Sequence, residues 1–292
     1  MLYTPAAEPP SIDRDSSAGE LFHTAILAAA ARLTPDDDPE GVHQTRVAVR
    51  RIRSSLRTFA PILDPAWAGA LDERIRPLGD RLAAARDADV LLERLQKQAR
   101  SLPAGDYRPK ELVLDLLRVM RDAAYRQLRA MLHEHRYVRL RDEVLAAAGT
   151  PRFGARASEP AAGLVTELME QSWRELCLEV RGRSRPATDG ELHRIRIRAK
   201  RVRYAAEAVS PVTGAAALTF AARVARLQHI LGEQRDATIS CEQLRRHIHG
   251  GDGAFVASEL TALESAAARA ARRRWRDAWR AAREPDVRFW RR

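Results

Sequence analysis

Aromatic residues are scarce in this sequence, and the enrichment in β-branched and aromatic residues that marks β-strands is missing. Aromatic side chains make up 5% of the 292 residues, and alanine and leucine dominate the apolar set. Alanine and leucine are strong helix formers. No stretch alternates apolar and polar residues with the period of two that a half-buried strand requires. The sequence therefore predicts an all-α protein.

Cysteine is also rare, with Cys177 and Cys241 as the two residues of this type. Two isolated cysteines provide neither a disulfide framework nor a zinc site, so we expect reduced thiols inside helices. No apolar run approaches the roughly 20 residues that span a bilayer. The N-terminus lacks the basic and apolar regions of a signal peptide. We therefore expect a soluble, cytoplasmic protein without a membrane segment.

The common signatures of catalysis and metal binding are absent. There is no Gly-rich phosphate loop ending in Lys-Ser or Lys-Thr, and there is no H-E-x-x-H. The acidic residues 36–38 lie in a short turn between Pro35 and Pro39, where helix capping explains them better than a metal site. His133 and His135 are too close in sequence to share one helical face. We expect no catalytic residues, no metal and no cofactor.

Positive charge, in contrast, is abundant. The formal net charge is +11, and the isoelectric point is near 10.6. A basic excess of this size indicates an anionic partner such as nucleic acid, an acidic membrane surface or another polyanion. The net charge alone does not choose among these partners.

The order of capping residues, prolines and glycines divides the chain into helices. Ser17 and Glu20 have the spacing of a capping box at the start of the first helix, and the Asp64-Pro65 pair predicts the start of the third. The tail at residues 288–290 is expected to pack back on the bundle. Residues 1–16 are rich in proline and polar residues and are predicted to be a disordered lead-in. Residues 149–160 contain two glycines, two prolines and little apolar content, as is typical of a linker. We expect two four-helix units, repeat 1 at residues 17–148 and repeat 2 at residues 161–292. The predicted helices cover approximately residues 17–32, 39–61, 65–100, 110–135, 137–148, 164–180, 191–209, 215–249 and 254–283.

An internal repeat supports this division. The segment from His43 to Arg53 has the spacing H-x-x-R-x-x-x-[RK]-R-x-R, which recurs from His193 to Arg203 at an offset of 150 residues. A second pattern, with leucines around an Arg-Asp-Ala triplet, covers residues 78–95 and recurs at residues 227–244. Two ordered matches at nearly one offset indicate a tandem duplication. The two halves should therefore pack with pseudo-two-fold symmetry.

The repeated motif places basic residues along one edge of a helix. At about 100° per residue, the basic positions of the first copy lie within about 80° of one another and apart from the apolar face. Like charges four residues apart destabilise a helix, so a carboxylate or an anionic ligand should compensate them. Arginine suits phosphate because its planar fork binds two oxygens at once. The positions are His43, Arg46, Arg50, Arg53 and Arg57 in the first copy and His193, Arg196, Lys200 and Arg203 in the second.

Structural alternatives remain open at this point. A charged stripe can be a solvated helix face, although its recurrence at the same spacing makes this less attractive. His43 and His193 can be caps or packed residues instead of anion contacts. The Arg86-Asp87 and Arg235-Asp236 pairs can be salt bridges between neighbouring helices, or the arginines can belong to the same basic site.

The duplicated pair of motifs resembles the CHAD family over residues 17–292. The resemblance implies two four-helix bundles around a strongly basic cleft that binds inorganic polyphosphate, and some family members localise to polyphosphate granules. It implies a ligand-facing set of His43, Arg46, Arg50, Arg51, Arg53, Arg57 and Arg86 in the first half and His193, Arg196, Lys200, Arg201, Arg203 and Arg235 in the second.

The sequence departs from the family pattern at several positions. Ala83 stands where the second half has Gly232, and Thr238 replaces the acidic residue that corresponds to Asp89. Glu207 takes the place of Arg57, so the second stripe is shorter or partly neutralised. These departures make the two half-sites unequal. The E-x-E-x-K signature of a fused CYTH-type catalytic domain is not found, so a stand-alone, non-catalytic protein is expected.

Two other functions compete with polyphosphate binding. Weak, non-specific nucleic-acid binding fits the basic character of the chain. Proteins that bind single-stranded nucleic acid, however, stack the bases on aromatic side chains. Trp173, Trp275 and Tyr204 do not form an obvious platform in the sequence, and no DNA-reading motif is present. A polyphosphate-metabolising enzyme is the other alternative, and it lacks a recognisable catalytic motif.

Overall fold

The computed structural model describes residues 13, 15–34, 39–102, 107–181, 186–248, 250–251, 253–284 and 288–291. Within these ranges the chain is helical, with two isolated β-bridges and no strand, which confirms the all-α prediction. Across the described helices, none is both long enough and apolar enough to cross a membrane. The lead-in predicted at residues 1–16 and the acidic turn at residues 36–38 fall almost entirely outside the described residues.

Nine α-helices follow one another in the described part of the chain. Their bounds are α1 Ala18–Ala30, α2 Pro39–Thr58, α3 Pro65–Ser101, α4 Tyr107–His133, α5 His135–Gly149, α6 Ala161–Arg181, α7 Asp189–Thr213, α8 Ala215–His247 and α9 Gly253–Ala282. Helices α1 to α5 lie in the first predicted repeat, and α6 to α9 lie in the second. Short 3₁₀ turns occupy Ala60–Ile62, Ala155–Ser158 and Phe289–Arg291.

The helix starts follow from local capping chemistry. Ser17 and Glu20 form the predicted capping box, in which each side chain accepts a hydrogen bond from the other residue's backbone N–H. The Asp64 carboxylate accepts a hydrogen bond from the Trp67 backbone N–H at 2.7 Å, as predicted from the Asp-Pro pair. Such caps satisfy the N–H groups that a first turn leaves unpaired.

Helix α7 is longer than predicted. The prediction placed its end near Val209. Pro211 follows soon after, and proline lacks the N–H that donates to a backbone hydrogen bond in a helix. The structure carries the helix through Pro211 to Thr213. It ends at Gly214, whose φ of +66° is a left-handed conformation that favours glycine. The Gly214 N–H donates to the Ser210 carbonyl at 2.8 Å, and α8 begins at the next residue.

The linker at residues 149–160 is bound to the first half. The Gly154 N–H donates to the Ile62 carbonyl at 2.9 Å, and the Asp64 N–H donates to the Arg152 carbonyl at 3.0 Å. The Phe153 ring meets the Phe22 ring edge-on, with centroids 6.1 Å apart. These contacts hold one end of α6 against the first half.

The main hydrophobic core is shared between the two halves. It runs without interruption from Phe22 in α1 to Trp279 in α9. A smaller apolar cluster joins Leu95 of α3 to Leu244 of α8. The C-terminal tail packs onto the bundle as predicted, and the buried Trp290 donates its indole N–H to a carboxylate of α6 at 3.0 Å. Both cysteines are free thiols.

Candidate functional site

A cavity of about 1050 Å³ lies where the two halves of the chain meet. Helices α2 and α3 of the first half and α6, α7 and α8 of the second half contribute to its walls. We call this cavity the cleft. The basic residues that line it are Arg46, Arg50, Arg53, Arg57 and Arg86 from the first half and Arg196, Lys200 and Arg201 from the second.

Equivalent residues of the two repeats line the cleft. Its lining includes both members of several equivalent pairs, so the two basic stripes face one cavity instead of two separate surfaces. The pairs at an offset of 150 are Arg46 with Arg196, Arg50 with Lys200, and Ser54 with Tyr204; the pair at an offset of 149 is Asp87 with Asp236.

The centre of the cleft carries positive charge without ion-pair partners. Among the described residues, no carboxylate lies within ion-pair distance of Arg46, Arg50, Arg196 or Lys200. The Nε atoms of Arg50 and Arg196 are buried and have no hydrogen-bond partner within the described part of the chain. Buried polar groups are normally hydrogen-bonded, so these guanidinium groups indicate a place for a ligand.

The outer part of the cleft is partly neutralised. The Arg53 Nε atom lies 2.7 Å from an Asp72 carboxylate oxygen, and Arg57 approaches the same oxygen at 3.6 Å. On the opposite side, Arg201 lies 3.7 Å from a Glu175 carboxylate oxygen. The charge available to an anion is therefore concentrated between α2 and α7.

Burial and crowding of like charges shift the pKa of Lys200. Burial and the neighbouring guanidinium groups of Arg196 and Arg50 lower the pKa of its ammonium group to about 8. Burial also lowers the pKa of Arg46, and Arg50 and Arg86 add to this effect. The folded protein thus holds these cations at an electrostatic cost that a bound anion would relieve.

Three aspartates also line the cleft, and two of them, Asp87 and Asp236, are equivalent in the repeat. Burial raises the pKa of Asp87, and the charge of Asp236 raises it further, while Arg196 and Lys200 oppose the shift. Burial raises the pKa of Asp236 in the same way. In the described residues neither carboxylate forms an ion pair, and Arg86 lies 3.7 Å from Glu93 instead. A salt-bridge role for the Arg86-Asp87 pair is therefore not what the structure shows.

Comparison with known proteins identifies the family of this chain. Residues 19–245 match the sequence profile of the CHAD domain. The chain belongs to the CHAD domain family. It is 34% identical over 225 residues to the uncharacterized protein Rv2226 of Mycobacterium tuberculosis (strain H37Rv) and 33% identical to the uncharacterized protein MT2285 of the CDC 1551 strain. Each match covers 73% of this chain and 41% of the relative, so the chain spans less than half the length of either protein.

Two solved structures share the fold of this CHAD domain. PptA from Streptomyces chartreusis superposes with a TM-score of 0.70 at 21% identity, over 91% of this chain and 100% of PptA. The CHAD domain from the plant Ricinus communis superposes with a TM-score of 0.68 at 24% identity, over 94% and 96% of the two chains. At these identities the likeness establishes the fold alone.

Five predicted ligand-facing residues of the CHAD domain do not line the cleft, and two of them are Arg51 and Arg203. Arg51 is half-buried near Arg32 and Glu207, and burial lowers the pKa of its guanidinium group. Arg203 is largely buried, and its Nε atom lies 3.3 Å from a carboxylate oxygen of Glu207 on the same helix. Arg51 follows Arg50 by one position and so points about 100° away from it around the helix. Arg201, its equivalent in the second half, does line the cleft, so the two copies of the motif present this position differently.

The histidines and Arg235 lie beside the cleft but not in its lining. Burial lowers the pKa of His43, with Arg46 adding to the effect, and burial lowers the pKa of His193, with Arg235 adding to it. His193 lies within α7, whose first turn is capped by Thr188, and is therefore not a cap. His43 likewise follows the start of α2 by a full turn. For both imidazoles, burial and the neighbouring arginines therefore disfavour the charged form.

The sequence interpretation missed Tyr204, which lines the cleft directly after the basic stripe of α7. Tyr204 follows Lys200 by four positions, so it continues the line from Arg196 to Lys200 along the helix. The spacing of four residues between Lys200 and Tyr204 was the sequence signal that could have identified this tyrosine. The polar residues Gln171 and Gln228 were also missed, because α6 and α8 contribute them from outside the motif.

Glycines allow two of the arginines to pass close to neighbouring helices. A Cβ atom at Gly232 would lie 3.4 Å from the Nε atom of Arg196, and one at Gly79 would lie 3.3 Å from the Nη1 atom of Arg53. Ala83, the residue equivalent to Gly232, lines the cleft itself. The two half-sites therefore position their arginines differently, in keeping with the departures seen in the sequence.

Proposed function

We propose that this CHAD domain binds inorganic polyphosphate in the cleft, without catalysis. The observation that carries the proposal is the set of four central cations that lack ion-pair partners among the described residues: Arg46, Arg50, Arg196 and Lys200. They come from both halves and face one cavity. A flexible chain of phosphates can follow such a cavity and place an oxygen near each cation. Arginine binds two phosphate oxygens at once, which suits this ligand.

Non-specific nucleic-acid binding is the alternative that the charge allows. Proteins that bind single strands stack bases on exposed aromatic rings. Tyr204 is the aromatic residue in the described lining of the cleft, and cations cover its ring. The other large aromatic residues, such as Trp173 and Trp279, are stacked in the core. This arrangement favours a polyanion without bases.

Binding without turnover is also a proposal. The lining of the cleft includes Ser54 and Ser172 but, within the described residues, no histidine that could act as their base. No three histidine, cysteine, aspartate or glutamate side chains group together as metal ligands in the described ranges. We propose that the domain uses this binding to associate with polyphosphate granules in the cytoplasm.

The direct test is a titration of the protein with long-chain polyphosphate and with RNA that contains the same number of phosphates. At about 0.15 M salt we expect polyphosphate to bind about tenfold tighter or better. The affinity for polyphosphate should fall steeply with salt because binding releases counterions. Equal affinities for the two polyanions would mean that the cleft is a generic basic surface without preference for polyphosphate. Release of phosphate in the presence of Mg²⁺ or Mn²⁺ would make the protein an enzyme.

Lys200 should give the binding a pH dependence. A bound phosphate favours the ammonium form, so above the pKa of about 8 in the folded protein the ligand must bind together with a proton. Affinity for polyphosphate should therefore fall by up to about tenfold per pH unit above pH 8. The free energy of unfolding should change in the opposite direction. The unfolded chain binds more protons there, so stability without polyphosphate rises with pH over the same window.

The Lys200→Arg variant isolates this effect, because arginine stays charged throughout the range. We expect it to lose most of the decline in affinity between about pH 7.5 and pH 9.5. The chain has three lysines, and Lys97, which is exposed and outside the cleft, provides the matched control. Lys97→Arg should keep the parental profile. A profile that is unchanged in Lys200→Arg would assign the pH dependence to other groups.

A further inference from the structure

Tyr204 combines burial with an unsatisfied hydroxyl group. The residue is 8% exposed, and it lines the cleft. Its hydroxyl oxygen is buried, and it has no hydrogen-bond partner in the described part of the protein. A buried hydroxyl without a partner is costly, and tyrosine normally finds one when it is buried. The Tyr204 hydroxyl group is therefore available to donate a hydrogen bond to a ligand.

Other tyrosines of this protein show the usual behaviour. The Tyr125 hydroxyl donates to an Asp89 carboxylate oxygen at 2.7 Å. The Tyr137 hydroxyl donates to the Thr34 carbonyl oxygen. Tyr125 also resembles Tyr204 in its surroundings, because Arg121 and Arg129 lie over its ring at 4.7 and 6.0 Å from the centroid. The unsatisfied hydroxyl thus distinguishes Tyr204 from a tyrosine with a similar cationic environment.

The ring of Tyr204 is in contact with the cations of the cleft. The guanidinium carbons of Arg203 and Arg50 lie 4.6 and 5.5 Å from the ring centroid, and the Lys200 nitrogen lies 5.9 Å from it. Such cation–π contacts attract the cation to the face of the ring. Two of these cations, Arg50 and Lys200, line the cleft and come from opposite halves. The ring therefore holds cations of both stripes close together.

We propose that Tyr204 is a ligand-binding residue of the cleft: its hydroxyl donates a hydrogen bond to a non-bridging phosphate oxygen, and its ring positions Arg50 and Lys200 around the same phosphate. A phosphate that draws these cations off the ring gains access to the buried hydroxyl and satisfies it. The equivalent position in the first half is Ser54, which also lines the cleft and also carries a hydroxyl. This inference rests on the proposed function.

The test is Tyr204→Phe, which removes the hydroxyl but keeps the ring and every charge. We expect affinity for long-chain polyphosphate at about 0.15 M salt to fall about tenfold, because a hydrogen bond to a charged acceptor is lost. The slope of log affinity against log salt should stay at the parental value, since no charge is removed. Arg50→Ala should instead reduce that slope by about 0.7, the value per phosphate contact of single-stranded nucleic acids. Helical content and melting temperature establish that each variant is folded.

Tyr125→Phe is the matched control, because Tyr125 lies outside the cleft and has a hydroxyl that is already satisfied. It should bind polyphosphate like the parent. Parental affinity in Tyr204→Phe would overturn the hydroxyl contact and leave the proposed function intact. A changed salt slope in Tyr204→Phe would also overturn it, because the tyrosine would then act only through the cations. A parent protein that does not bind polyphosphate would remove the proposed function itself.

Discussion

Replacing Arg46, Arg50, Arg196 and Lys200 together with alanine is expected to lower polyphosphate affinity by about a thousandfold or more at about 0.15 M salt. These side chains are the central cations of the cleft without ion-pair partners in the described residues. Each hydrogen bond from a charged donor to a phosphate contributes about 1.5–3 kcal/mol. The slope of log affinity against log salt should fall by about 3, since four phosphate contacts are removed. Isothermal titration over a range of salt concentrations measures both quantities.

A variant with the same change in net charge provides the control. Arg126, Arg136, Arg139 and Arg273 are exposed and lie outside the cleft, and replacing them with alanine also removes four positive charges. Its affinity should stay within a few-fold of the parental value. The cleft variant should also melt at a higher temperature than the parent, because it relieves repulsion between like charges. Equal losses of affinity in both variants would mean that net charge, and not the cleft, determines binding.

Arg94→Ala is expected to lower the free energy of unfolding by about 3–5 kcal/mol. The Glu264 side chain on α9 is fully buried, and the Nε atom of Arg94 on α3 lies 2.5 Å from one of its carboxylate oxygens. This ion pair joins the two halves of the chain. Removing the arginine leaves a buried carboxylate without its partner, and such a charge is far more costly than a broken surface pair. Urea unfolding followed by circular dichroism measures the change.

Two further variants separate the stability cost of leaving a buried charge without a partner from the cost of breaking an ion pair. Arg280→Ala breaks the pair between Arg280 and Asp277, whose side chains are 73% and 70% exposed. This should cost no more than about 1 kcal/mol. The double replacement Arg94→Met with Glu264→Leu should recover most of the stability that Arg94→Ala loses, because apolar residues can replace a buried pair. A loss below about 1 kcal/mol in Arg94→Ala would show that Glu264 needs no arginine partner.

Much of the fold was predictable because its determinants are local. The Ser17 capping box and the Asp64 cap involve residues three positions apart, so the sequence alone located these helix starts. The repeated spacing around His43 and His193 indicated the duplication for the same reason. The end of α7 was predicted too early, because the helix tolerates Pro211 near its last turn.

The candidate site was predictable only in part. The stripe spacing identified Arg46, Arg50, Arg196 and Lys200, since residues three or four positions apart share a helix edge. It also included Arg51, which follows the motif but points away from the cleft. A pattern match assigns residues to a motif, whereas the packing of the helices decides which side chains reach the cleft: Arg201, the equivalent of Arg51, does line it.

The sequence by itself determined the helical class, the duplication, the basic character and the family, because each depends on composition or on spacing along the chain. The tertiary structure decided that both stripes face one cleft, that Asp72 and Glu175 neutralise its outer arginines, and that Glu264 pairs with a residue 170 positions away. It also placed Tyr204 beneath the central cations. These features depend on which helices pack together, and charges that are distant in sequence become partners only when the core has brought their helices into contact.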